Sequence, residues 1–210
     1  MSTHTSPPGW DRPDAEFVVG SPIMTGLDEA DLIRRADAAR TAFLRTGAVA
    51  DAEEAVRWWP ELVVLNGDNA DYFDELGSAF QCLYEAGGVG EHLRRARAHY
   101  EKAVELDRDP ALLNNLGDCL RVCHRELGDR DALEQARVVL AEAVEGIPEV
   151  DPDRLLCMDN LALVLSDLFS LRGDPDELRQ GSGALSVVGV IRGGCGGAGE
   201  QDLLVHTFAA

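Results

Sequence analysis

Cys119 and Cys123 stand four residues apart, with His124 directly after the second. On a helix, residues i and i+4 share a face, and two soft thiols with an imidazole suit zinc. The same residues invite a nucleophile–base reading. Neighbours on a helix point about 100° apart, however, so the Cys123 and His124 side chains would not meet. A second chemistry-bearing run is GCGGAG at residues 194–199, a literal G-x-G-x-x-G after the apolar residues 185–191. A dinucleotide site also needs a complete βαβ unit and an acidic residue about 20 positions on. The sequence reaches only Ala210, so the run is read as a glycine-rich linker or tail.

Which elements hold these residues is settled by an internal repeat. Leu76, Leu116 and Leu161 stand 40 and 45 residues apart. Each is followed by a small residue (Gly77, Gly117, Ala162) and preceded at three by Phe73, Leu113 or Met158. Four after comes Phe80, Leu120 or Leu165; eight after, Tyr84, His124 or Phe169; twelve after, Gly88, Gly128 or Gly173. A second apolar period follows each glycine: Leu93, Ala96, Tyr100; Leu133, Ala136, Leu140; Leu178, Gly181, Leu185. Two helices joined at a glycine C-cap explain this spacing, and repeated units of this length stack on one another. A weaker copy precedes them, with Phe43, Gly47, Ala55, Trp59 and Leu62 in register but Arg35 where Leu76 would fall. An altered outer face is expected of a terminal unit. In this register Cys119 replaces Ala79 and Val164, Cys123 replaces Leu83 and Leu168, and His124 replaces Tyr84 and Phe169. Those are core slots, and free Cys packs as a small hydrophobe. No metal, cofactor or catalytic residue is therefore expected.

The pattern resembles the tetratricopeptide repeat. That family's W-x2-L-G-x2-Y is similar to Phe73-x2-Leu76-Gly77-x2-Phe80 and to Leu113-x2-Leu116-Gly117-x2-Leu120. Its A-x3-F-x2-A is similar to Ala96-x3-Tyr100-x2-Ala103 and to Ala136-x3-Leu140-x2-Ala143. The units are longer than the family's usual 34 residues and resemble the long bacterial arrays found beside CHAT caspase-like protease or ATPase switch domains. The resemblance implies an all-α fold, a right-handed superhelical array of antiparallel helix hairpins with a concave and a convex side. It covers about four hairpins over residues 27–190, between a proline-containing tail (residues 1–26) and a glycine-rich tail (residues 191–210).

Ligand contacts in the family come from first-helix positions two and one before the central leucine, and two, five and six after it. Carried over, the candidate groove is Asp74, Glu75, Ser78 and Gln81, then Asn114, Asn115, Asp118 and Arg121, then Asp159, Asn160, Leu163 and Asp167. Asn115 and Asn160 could bond both edges of a peptide backbone. The set is acidic, with Arg121 as its one cation, and implies a protein or peptide partner that is basic or neutral.

Bulk properties narrow the rest. A formal charge of −19 opposes binding to nucleic acid or to an anionic membrane. The N-terminus MSTHTSPPGWDRPDAEF lacks the basic and apolar regions of a secretory signal. Five cysteines in a chain of this size fit a reducing, cytoplasmic setting. The leading expectation is a non-enzymatic interaction module. The second is a regulatory or sensor fragment of a larger signalling or CHAT-protease-type system, and the third an enzyme using the Cys/His residues. Self-association through an exposed end repeat is a further expectation, because the pattern fails after about Val188.

Overall fold

A computed structural model describes residues 26–172, and these form seven helices with no strand among them. They are α1 (Glu29–Thr46), α2 (Val49–Leu65), α3 (Ala70–Gly87), α4 (Gly90–Leu106), α5 (Pro110–Leu127), α6 (Arg130–Gly146) and α7 (Asp153–Arg172). Each helix packs on the next, and α3 with α5 and α5 with α7 also touch side by side. The chain is thus an all-α array of helix hairpins. Three complete hairpins and the first helix of a fourth lie in the described residues. The expected second helix of that fourth unit, both tails, Gly173 and the glycine run at 194–199 lie outside them.

Local chemistry marks the ends. Asp28, Asn69, Asp109 and Asp129 each accept a backbone N–H with the side chain at a helix start, which satisfies donors the helix itself cannot. Gly47, Gly88 and Gly128 close α1, α3 and α5 at φ of 64°, 67° and 72°. That left-handed conformation is open to glycine without steric cost. The turn within a hairpin is thereby kept to two residues, 47–48, 88–89 and 128–129. Turns between hairpins use no such glycine and are longer: 66–69, 107–109 and 147–152. The lengthened last turn, with an earlier start of α7 relative to Leu161, accounts for the interval of 45 after one of 40.

Packing within a hairpin depends on the small residue after the central leucine. A Cβ added to Gly117 would lie 2.4 Å from Leu140 Cγ, and one added to Gly77 would lie 2.9 Å from the Tyr100 ring. Leu76, Leu93, Leu116 and Leu133 are completely buried on either side of these contacts. In the first unit the core is carried by Leu32, Ala36, Ala39 and Phe43. Arg35, which takes the register of Leu76, lies outside that core with its guanidinium over the Trp58 ring at 5.1 Å.

Candidate interaction face

The first helices α3, α5 and α7 carry the candidate groove residues, and the structure brings several of them together across units. Asn115 on α5 donates to both carboxylate oxygens of Asp74 on α3, at 3.0 and 3.1 Å. Asn160 on α7 donates to the Asn114 side-chain oxygen on α5 at 2.9 Å. Both bonds join the residue two before the central leucine of one unit to the residue one before it in the next. The repeat of the bond follows from the repeat of the stacking. Arg121 lies 3.7 Å from Asp118 on its own helix and 3.7 Å from Asp167 on α7. Ser78 is in hydrogen-bonding contact with the buried Tyr100 phenol. Gln81 and Asp159 are half-buried, and Leu163 is exposed.

Two features of this face differ from the sequence-based expectation. Asn115 and Asn160, read as free to clamp a backbone, direct their amide N–H groups at neighbouring units. Arg121 is also not the face's one cation, because Arg40 on α1 bonds both oxygens of Glu75 at 3.0 and 3.1 Å. Arg40 stands five residues after Arg35, the register of Gln81 and Arg121. The poor match at Arg35 hid that equivalence.

Electrostatics at the α1–α3–α5 end are unfavourable to charge. Burial raises the Asp74 carboxyl to about 6; Glu75 and Asp71 push it further up, while the Asn115 bond and Arg40 pull it down. Burial also raises Glu75, opposed by Arg40. Burial thus works against the charged form of both carboxyls, a condition that clusters at functional sites.

The cysteines take other places. Cys82, Cys119, Cys123 and Cys157 are all buried in the core. The Cys119 thiol is pushed well up by its hydrogen bond with Cys123 and by burial, which keeps it protonated and unreactive. His124 is half-buried, with Nδ1 3.0 Å from the Asp129 carbonyl oxygen. Among the described residues no group of three or more His, Cys, Asp or Glu is placed to share a metal ion.

His99 is a buried polar residue that the sequence reading passed over. It is stacked on Phe80 at 5.3 Å and on Phe73 at 6.4 Å. Burial, with Arg95 nearby, lowers its imidazole to about 4. Its equivalent in the next unit is Val139, so a packing role fits the position, and the aromatic residues at 73 and 80 were the available signal. No helix among the described residues is long and apolar enough to cross a membrane.

No protein-family model matches the chain. The comparison with curated proteins likewise returns no match.

Proposed function

We propose that this chain is a non-enzymatic interaction module of the tetratricopeptide-repeat kind. It receives an extended peptide segment, basic or neutral, along the face formed by α3, α5 and α7. The observation that carries this reading is the pair of cross-unit bonds, Asp74–Asn115 and Asn114–Asn160. They align the equivalent positions of three successive helices into one row of polar groups, in which Asp74, Asn115 and Asn160 are half-buried and Asn114 is buried. Asp74 and Glu75 supply the row's negative end, and Asp118, Asp159 and Asp167 continue it. Ordered carboxylates at a fixed spacing suit successive Lys or Arg side chains of an extended partner. The four cysteines of the described residues are free and buried, and the reading places the protein in the reducing cytoplasm.

Fluorescence anisotropy with labelled Lys-rich, neutral and Glu-rich peptides of equal length tests this. The Lys-rich peptide should bind tightest, and Asp118→Lys combined with Asp159→Lys should weaken it about tenfold, or about 1.4 kcal/mol. Its affinity should also fall with added salt. Equal binding of the three peptides, or no effect of the double substitution, would sink the reading.

A further inference from the structure

Asparagine followed by glycine can modify itself, and the fold around the pair decides whether it does. The asparagines of the chain are Asn66, Asn69, Asn114, Asn115 and Asn160, and glycine follows Asn66 alone. Asn114, Asn115 and Asn160 lie inside α5 and α7, where helical hydrogen bonds hold the N–H of the next residue. Asn69 caps α3, its side-chain oxygen accepting from the Asp71 N–H at 3.0 Å. Asn66 differs from all of them. It ends α2 at φ −145° and ψ 83°, and Asn66, Gly67 and Asp68 are exposed in the turn that follows. Two backbone bonds fix that turn. The Asn66 N–H donates to the Leu62 carbonyl at 3.0 Å, and the Asn69 N–H donates to the Asn66 carbonyl at 3.2 Å. Neither bond uses the Gly67 N–H or the Asn66 side-chain amide, and these two groups bond nothing else among the described residues. Closing a ring between them therefore breaks no hydrogen bond of the turn.

We propose that Asn66–Gly67 is a self-modification site, at which the exposed turn between the first and second hairpins converts to isoaspartate and loosens their junction. Base removes the Gly67 amide proton, and that nitrogen attacks Cγ of the Asn66 side chain. As the N–Cγ bond closes a five-membered ring, the bond from Cγ to Nδ2 breaks and ammonia leaves. Water then adds to the cyclic imide. Opening at Cγ gives aspartate, whereas opening at the Asn66 main-chain carbonyl carbon gives isoaspartate. Either way one water is consumed and one ammonia released, with no change of oxidation state. Isoaspartate routes the main chain through Cβ and Cγ, which lengthens the turn by one carbon. It also turns the former Asn66 carbonyl into a free carboxylate, so the turn loses the main-chain acceptor of the Asn69 N–H. The new charge stands next to Asp68 and at the C-terminus of α2, where the helix dipole disfavours it. Across this junction Trp59 packs on Tyr72 with ring centroids 6.1 Å apart, and Arg40 bonds Glu75. Both contacts depend on the length of the turn.

The full chain is held at 37 °C between pH 6 and pH 9, and its ammonia release, intact mass and peptide map are followed. Conversion should map to Asn66, give both products, and speed up with pH, because the Gly67 nitrogen reacts after losing its proton. Gly67→Ala is the control. A Cβ at that position would stand 3.5 Å from the Val63 carbonyl oxygen, an ordinary contact, so the fold is kept while the methyl hinders ring closure. Its conversion should be slower by about tenfold. Equal rates in wild type and Gly67→Ala, or conversion at Asn69, Asn114, Asn115 or Asn160 ahead of Asn66, overturns the proposal. The loosening is read on the isoaspartate form isolated by ion exchange, beside freshly prepared Asn66→Asp, which carries the charge without the extra main-chain carbon. The isoaspartate form should melt below both Asn66→Asp and the unaged chain, and its Asn69 amide hydrogen should exchange about tenfold faster. An isoaspartate form that melts and exchanges as Asn66→Asp does overturns the loosening.

Discussion

Asp74, half-buried, and His99, buried, are two ionisable groups whose protons move stability in opposite directions. The folded Asp74 carboxyl, raised to about 6, holds a proton that the unfolded chain has already released above about 4. Its contribution is therefore present at acid pH and lost as pH rises from about 4 to 6. The folded His99 imidazole, lowered to about 4, stays neutral while the unfolded chain takes up a proton below about 6.5. Its contribution is lost as pH falls through that window. Each shift spans about two units, or about 1–3 kcal/mol, so the two largely offset in the native chain. Urea denaturation of Asp74→Asn should show a gain over wild type of that size at pH 7.5 that vanishes near pH 4. His99→Leu should differ from wild type least favourably at pH 7.5, and recover about 1–3 kcal/mol relative to it by pH 4. Variants whose stability curves run parallel to wild type across pH 4–7.5 would show that neither group is perturbed.

Helix pairs depend on close approach at one residue. Gly117 gives up about 1 kcal/mol of helix propensity against alanine, yet its missing Cβ is where Leu140 sits. Overpacking a well-filled core costs about 1–3 kcal/mol, and the 2.4 Å approach to Leu140 Cγ puts this site at the upper end, so Gly117→Ala should be net destabilising by up to about 2 kcal/mol. Gly77→Ala, facing the Tyr100 ring at the longer distance of 2.9 Å, should lose less. In a double-mutant cycle Gly117→Ala should be rescued in part by Leu140→Ala, with a coupling above about 0.5 kcal/mol. Additive effects would mean that the two helices do not meet there. The α5–α6 contact also bears on the proposed interaction face, because α5 presents Asn115 and Asp118 only as rigidly as α6 holds it.

The molecule as a whole is a line of nearest-neighbour interfaces, so its stability is close to a sum over hairpins and junctions. Long-range repulsion acts on that sum. There are 38 acidic residues against 19 basic ones, so half of the carboxylates can have no cation of their own. Exposed ion pairs such as Arg34–Asp31 and Lys102–Glu105 each contribute little, and salt weakens them less than it relieves the net −19. Raising NaCl from 20 to 500 mM should therefore raise the melting temperature by a few degrees, about 1 kcal/mol for a chain of this length. A fall in melting temperature would mean that specific ion pairs outweigh the net charge.

The hairpins, their order and most of their core were legible in the sequence. Buried positions repeat with the helix, and only glycine reaches the left-handed turn at Gly47, Gly88 and Gly128 without strain. The central leucines and the small residue after each were readable for the same reason, since burial and close approach restrict residue type wherever they occur. The outward residues were readable as a set but not as partners. Asp74 and Asn115 are 41 positions apart, and Asn114 and Asn160 are 46. Their meeting depends on how far one hairpin slides against the next, a distance that periodicity leaves open. Stacking likewise brought Arg40 to Glu75 and turned two asparagines expected to face a ligand towards their neighbours. The chain by itself therefore determined which surfaces would be buried, because water imposes that on every unit alike. Only the tertiary arrangement decided which polar groups bond each other and which stay exposed, because hydrogen bonds act over about 3 Å and need the helices in place.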